Sequence, residues 1–396
     1  MPKYLQTVRN RRSLWQRSWK WLLGGGIILA LGSGGLAYQL REPAVKRTPK
    51  TVPVTKNAPT ITAANPIPLK TSAKEAIVID AHTGQILGEK RAHRQVGIAS
   101  ESKLLTANAV LKAIRAKKIS WATMVPITKK SDWSKKDPNV YAHLDVHEGQ
   151  RLPVRTLFNA MYTFSANDAA FALADFVKPP RLTQQQALQK WAKELRLTNS
   201  QWYNAAGQLN RNAGAYEVPH QKFTAENQAS VAQIAKVTYQ NLKLDPAMSQ
   251  DFQADELVYH PTERETRAKP TEFSRFRKGT RPYLHNPLNL TFKNFKTGST
   301  PKYGGGVAAL MKDQAGHELI VVVNGAGNYI SRFPRFQTSV TAATQVLEQT
   351  QPMELKTHQR IQNLSTIKHP HAQSRKLEHP GIYWASTKLI QTKRVN

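Results

Sequence analysis

What most constrains this chain is the order in which strand-like and helix-like runs follow one another. Residues 76–79 and 85–87 are short apolar runs flanking Asp80-Ala81-His82-Thr83-Gly84, the pattern of a β-hairpin. Far downstream, 290–296, 307–312 and 318–324 alternate with turn-rich GSTPKYGGG and DQAGH, which predicts three consecutive antiparallel strands with Gly304–Gly306 in a hairpin turn. Helical periodicity fills the interval. Over 102–117, Leu104, Ala107, Leu111 and Ile114 share one face, with Val110 beside them. Further helices are expected over 153–164, 167–176, 182–195 and 226–242, the last capped by Thr224, and a closing helix over 335–349. One sheet can then gather both ends of the segment while a helical block stands between them. The expected class is α+β, an antiparallel sheet with flanking helices and a helical subdomain.

The chain has 396 residues, 40% of them apolar, enough for a large core. It has no cysteine, which excludes disulfides, thiolate nucleophiles and cysteine-based zinc sites together. Its net charge of +31 points to an anionic neighbourhood or to a solvated basic surface.

The N-terminus narrows this choice. Residues 1–20 carry Lys3, Arg9, Arg11, Arg12, Arg17 and Lys20 and no acid, and 21–40 carry no charge. About 20 apolar residues span a bilayer, and a basic leading flank stays cytoplasmic. Residues 21–40 are therefore expected to form a single transmembrane helix with the rest of the chain outside; cleavage near residue 37 would instead release a secreted protein. Either way the chain is exported, which argues against a nucleic-acid partner. Residues 41–72, with prolines at 43, 49, 53, 59, 66 and 68, read as an extended linker. The catalytic domain is expected over 73–350. Residues 351–396 read as a basic tail or partial β-module, more a solvated extension than a folded unit.

Three short patterns occur in order: Ser100-Glu101-Ser102-Lys103 at a helix start, Ser165-Ala166-Asn167 at another, and Lys296-Thr297-Gly298 at a strand end. Each alone is weak. Ser-x-x-Lys recurs at Ser299/Lys302 and Ser365/Lys368. Only Ser100 follows a hairpin, precedes an amphipathic helix and has the other two patterns downstream. The physical fit is specific. A serine hydroxyl needs a base to become a nucleophile. On a helix, residues three apart share a face. Lys103 can be that base only if burial or a neighbouring cation, for which Lys296 is the candidate, holds its pKa low.

The trio is that of class A β-lactamases and penicillin-binding proteins. With the stretch over 76–106, SANDAA at 165–170, the loop 202–207 ending NAAG, and FKTGST at 295–300, residues 72–350 resemble the D-alanyl-D-alanine carboxypeptidases of the low-molecular-weight penicillin-binding type. The resemblance implies a β-lactamase/transpeptidase-like fold and a serine peptidase that removes the terminal D-Ala of peptidoglycan stem peptides without metal or cofactor. It assigns Ser100 as nucleophile, Lys103 as base, Ser165 as proton relay and Asn167 as holder of the substrate amide. Lys296, Thr297 and the Ser299 hydroxyl would bind the terminal carboxylate. The N–H groups of Ser100 and Ser299 would form the oxyanion hole, beside Gly298. β-Lactams would be covalent inhibitors, the cell membrane and anionic wall polymers further partners. The sequence departs from the family in having Lys293-Asn294-Phe295 where Asp-Gly usually precedes Lys-Thr-Gly.

A class A β-lactamase would need a deacylating glutamate between the second and third patterns. Glu217 and Glu226 are the nearby acids, and neither stands in an E-x-x-L-N setting. A non-catalytic wall-binding protein of the same fold would have no need to keep all of Ser100, Lys103, Ser165, Asn167 and Lys296. His143 and His147 are four apart, but 143–149 reads as a strand leading into a turn, where that spacing does not converge on a metal.

Overall fold

The computed structural model describes residues 50–51, 61–248 and 253–387. The basic and apolar segments at 1–40, most of the linker up to residue 60 and the last residues of the tail lie outside them. Among the described residues no helix is long and apolar enough to cross a membrane.

The two strand groups meet in one six-stranded sheet. Its strands are β1 (Ile67–Pro68), β2 (Glu75–Asp80), β3 (Ile86–Lys90), β4 (Thr291–Thr300), β5 (Gly304–Lys312) and β6 (Glu318–Asn324), in the order β4-β5-β6-β2-β3-β1. All neighbours are antiparallel except β1 beside β3. β6 lies against β2, with Val321 opposite Val78, and this pairing closes the long interval.

Alternation sorts the strand residues onto two faces. Ile77, Ile79, Ala308, Leu310, Ile320 and Val322 enter one core, and Ala76, Val78, Val307, Ala309, Val321 and Val323 the other. The first face meets the helical block: α1 (Lys103–Arg115), α2 (Val154–Asn159), α3 (Asn167–Val177), α4 (Gln184–Glu194) and α5 (Val231–Leu244). The second meets α7 (Phe333–Gln349) and a Phe276, Phe292, Phe295 and Phe336 cluster that includes a ring from α6 (Glu272–Gly279). Each fully buried Ile, Leu or Phe contributes about 1.5–3 kcal/mol, so both layers hold the sheet flat-on against its neighbours.

Several expectations are corrected. The fifth helix begins at Val231, and Ser230, not Thr224, caps it through a reciprocal bond pair with Gln233; residues 228–229 are first used as a strand. Residues 143–149 are not a strand: Asp145 has φ 64°, and the buried His143 ring bonds to the Lys136 carbonyl. Gly304 leaves the turn at φ 90°, while Gly305 and Gly306 lie inside β5. The linker is packed from residue 61 onward: Ile61–Thr62 pairs with the strand Arg360–Thr366, β1 with β3, and Ala63, Ala64 and Leu69 are buried.

The end of the chain also differs from a solvated extension. β7 (Thr350–Leu355), β8 (Arg360–Thr366), β9 (His369–Lys376) and β10 (Gly381–Ser386) enclose a small core of Ala63, Leu355, Ile361, Leu364 and Leu377. Trp384 joins this module to the sheet. Its indole N–H donates to Asp80 at 2.9 Å, and its backbone N–H and C=O bond to the Gln85 amide at 2.9 and 2.8 Å.

Candidate active site

Ser100 sits in a single 3-10 turn, Ala99–Ser102, immediately before α1. Ala99 has φ 44°, a left-handed conformation that costs a residue with a Cβ. The loop 202–207 braces it from behind. Gly207 (φ 73°) comes so close that a Cβ there would lie 1.9 Å from the Ala99 carbonyl oxygen. The bracing leaves Ser100 at the cleft surface, one turn from Lys103.

Lys103 is fully buried. Its ammonium donates to Ser100 Oγ at 2.8 Å, the Ala206 carbonyl at 2.8 Å and Asn167 Oδ1 at 3.0 Å. Three donors thus meet three neutral oxygens. Burial, reinforced by the Lys296 charge, holds its pKa well below the usual lysine range, and Asp168 opposes them. Asp168 is itself buried beneath the cleft; burial pushes its pKa up to about 7 against the pull of the Leu144 and Ala169 N–H groups.

The other hydroxyl comes from the end of α2. That helix widens into a π-turn over Ala160–Phe164, and Ser165 closes it at φ 62°. Ser165 Oγ accepts from Lys296 Nζ at 2.9 Å. Lys296 lies on β4, 1% exposed, and also donates to the Thr297 carbonyl at 3.1 Å. Burial lowers its pKa to about 8, Glu272 and Glu101 raise it, and Arg335 lowers it further.

The glycine that follows has a steric reason. A Cβ on Gly298 would come 2.4 Å from the Ile98 carbonyl oxygen and 3.0 Å from Glu101 Cγ. The strand end must slide under the turn that carries Ser100, and only glycine permits it. Upstream, the Lys293-Asn294-Phe295 departure falls beside a register shift between Phe292 and Asn294, with Asn294 turned inward to donate to the Met248 carbonyl.

A cleft of about 370 Å³ opens between these pieces. Six of the eight predicted residues line it: Ser100, Ser165, Asn167, Thr297, Gly298 and Ser299. Lys103 and Lys296 stand behind it, each with its ammonium on one of the two serine hydroxyls. Asn167 uses its side-chain oxygen for Lys103 and Gln208. The other two Ser-x-x-Lys serines take no comparable place: Ser365 lies in β8, and Ser299 faces the cleft from the strand wall. Neither Glu217 nor Glu226 lines the cleft. Among the described residues no group of three or more His, Cys, Asp or Glu is placed to hold a metal ion.

Sequence reasoning missed Arg335, Glu272, Arg332 and Gln208, which also line the cleft. Arg335, 3% exposed, donates to the carbonyls of Gly298 at 3.0 Å and Gly306 at 3.3 Å. Glu272 ties Arg332 and Arg275 together at 2.8 and 3.0 Å. One trace of Arg335 was available. It falls on the stripe of α7 that Ser339, Ala342 and Ala343 bury, an odd place for a cation unless it has a task.

The sequence pattern of the family described as D-alanyl-D-alanine carboxypeptidase matches residues 60–328. The D-alanyl-D-alanine carboxypeptidase DacC of Escherichia coli is 26% identical over 284 residues, 71% of this chain and 64% of that protein. The chain therefore spans less than two thirds of this relative's length. In fold, it is similar to a peptidoglycan synthesis regulatory factor (PBP3) from Streptococcus pneumoniae, with TM-score 0.64, 20% identity, and coverage of 81% of this chain and 84% of that one. It is likewise similar to penicillin-binding protein D2 of Listeria monocytogenes in its cefotaxime-bound form, with TM-score 0.51, 21% identity, and coverage of 71% and 97%.

Proposed function

Since the chain belongs to the D-alanyl-D-alanine carboxypeptidase family, we propose that it is a serine-type D-Ala-D-Ala carboxypeptidase acting on peptidoglycan stem peptides. The observation that carries the reading is the Lys103 ammonium, fully buried and 2.8 Å from Ser100 Oγ with no carboxylate among its acceptors. A lysine so placed gives up its proton readily, and the free amine takes the serine proton.

The steps balance as follows. Ser100 Oγ bonds to the penultimate D-Ala carbonyl carbon while its proton passes to Lys103. The N–H groups of Ser100 and Ser299 receive the developing oxyanion. The C–N bond breaks, and a proton delivered through Ser165 lets terminal D-Ala leave as the amine. Water then adds to the acyl carbon, and Ser100 leaves with a proton. Lys296, Thr297, Ser299 and Arg335 hold the terminal carboxylate, and Asn167 orients the amide. β-Lactams, which carry a carboxylate and a reactive amide, enter by the same route and acylate Ser100. Neither Glu217 nor Glu226 lines the cleft, and the acid that does, Glu272, is held by Arg332 and Arg275, which disfavours a class A β-lactamase with a free carboxylate to activate the deacylating water.

The same reading puts the catalytic domain outside the cell membrane, held by residues 21–40 as a single span. The one-sided basic flank at 1–20 supports it. The high positive charge supports contact with anionic wall polymers.

The test is release of D-Ala from a D-Ala-D-Ala-terminated peptide. The wild-type chain should release it and Ser100→Ala should not. A folded wild-type chain with no release would return the fold to a binding role.

A further inference from the structure

The carboxyl group inside the first motif has no part in the chemistry above. Glu101 directly follows the nucleophile, yet it is 0% exposed, and neither carboxylate oxygen has a hydrogen-bond partner. Its position is set by two glycines. Gly298 and Gly306 face each other across β4 and β5. A Cβ on Gly298 would stand 3.0 Å from Glu101 Cγ, and one on Gly306 would stand 3.3 Å from Glu101 Oε1. The Glu101 side chain therefore packs against both glycines, alongside the Ile98 carbonyl and the Asn324 amide oxygen, which lie 2.4 and 1.9 Å from those Cβ positions. The Arg335 guanidinium is bound to the carbonyls of the same two residues. Two cations, Lys296 and Arg335, act on Glu101, and Asn324 lies beside it. Glu272 acts on both cations from the cleft side.

A cell with two buried cations and one buried acid is not arranged for stability alone, since a buried unpartnered carboxylate costs free energy. We propose that Glu101 is a positioning residue that keeps the Lys296 ammonium charged on the alkaline side of neutrality, so that the cleft retains its hold on an anionic substrate terminus as pH rises. The coupling of the two protons gives the mechanism. At low pH Glu101 is protonated and Lys296 charged. As pH rises, loss of the carboxyl proton and retention of the ammonium proton favour each other, because the two charges are opposite. The resulting anion holds the proton on Lys296. Burial pushes Glu101 up to about 8, the same range in which Lys296 titrates with Glu101 beside it.

The inference rests on the acyl-enzyme reading, and one experiment separates them. The rate of Ser100 acylation by a penicillin, and kcat and KM for a D-Ala-D-Ala peptide, are measured from pH 6 to 10 in wild type, Glu101→Gln and Glu101→Asp, with melting curves for each. Glu101→Gln should match wild type within a few-fold at pH 6, where both side chains are neutral. Its alkaline fall should come about one pH unit earlier, mostly as a rise in KM, the lower end of what one nearby opposite charge contributes. Glu101→Asp should restore the wild-type limb. An unmoved limb in Glu101→Gln, or an equal loss at every pH in both variants, would overturn the proposal. Failure of the wild type to acylate would instead overturn the acyl-enzyme reading.

Discussion

Two buried lysines face the cleft from opposite walls, and their surroundings differ in one respect. On the helical wall Lys103 meets only neutral oxygens: a hydroxyl, an amide and a backbone carbonyl. On the sheet wall Lys296 meets a hydroxyl and a carbonyl, but Glu101 and Glu272 act on it as well. Burial lowers both. Carboxylates oppose this on both walls, Asp168 alone for Lys103 and the pair Glu272 and Glu101 for Lys296, so the sheet wall carries the larger acidic counterweight. The same side chain is thereby prepared as a proton acceptor on one wall and as a fixed positive charge on the other. Residue type does not decide the role; the charge of the second layer does.

The sharpest way to break this contrast is to make each lysine permanently charged. Arginine does not lose its proton in a protein. Lys103→Arg should cost about 10²- to 10⁴-fold in Ser100 acylation, the usual contribution of a general base. Lys296→Arg should retain most activity, whereas Lys296→Met should raise KM by roughly ten- to a hundredfold, the worth of one charge-assisted contact. Near-wild-type acylation by Lys103→Arg would show that the helical wall does not supply the base.

A smaller effect sharpens the contrast through pH. Acylation should rise with pH as the depressed Lys103 loses its proton and fall above about 8 as Lys296 loses its own. The sign is fixed by the roles: the base works unprotonated and the anchor works protonated. A profile rising monotonically to pH 10 would remove Lys296 from substrate binding. The last effect should touch neither lysine. Trp384→Ala removes a buried ring and its bond to Asp80, and should cost roughly 3–5 kcal/mol of stability, read by denaturant unfolding, with the acylation profile of the folded fraction unchanged.

Much of this was legible in the sequence, for identifiable reasons. Order and periodicity predicted a sheet built from both ends, because 76–79 and 318–324 are apolar on both faces and must be covered on both. The motifs located the cleft, because each marks a local backbone event: the turn at Ala99, the π-turn closing at Ser165, the close approach at Gly298. Three things were hidden. The module at the chain end has strands such as HPHAQSRK whose side chains are nearly all exposed, so no alternation betrays β9. Within the linker, Ile61–Thr62 pairs only because that module exists. Arg335 enters the site from a helix far along the chain, so no spacing rule joins it to Lys296.

The most direct measurement is mass spectrometry of the intact and digested protein after incubation with a penicillin. The account predicts one adduct per chain, on the peptide carrying Ser100, absent in Ser100→Ala and strongly slowed in Lys103→Arg. No adduct on a folded chain, or an adduct on another residue, would contradict it.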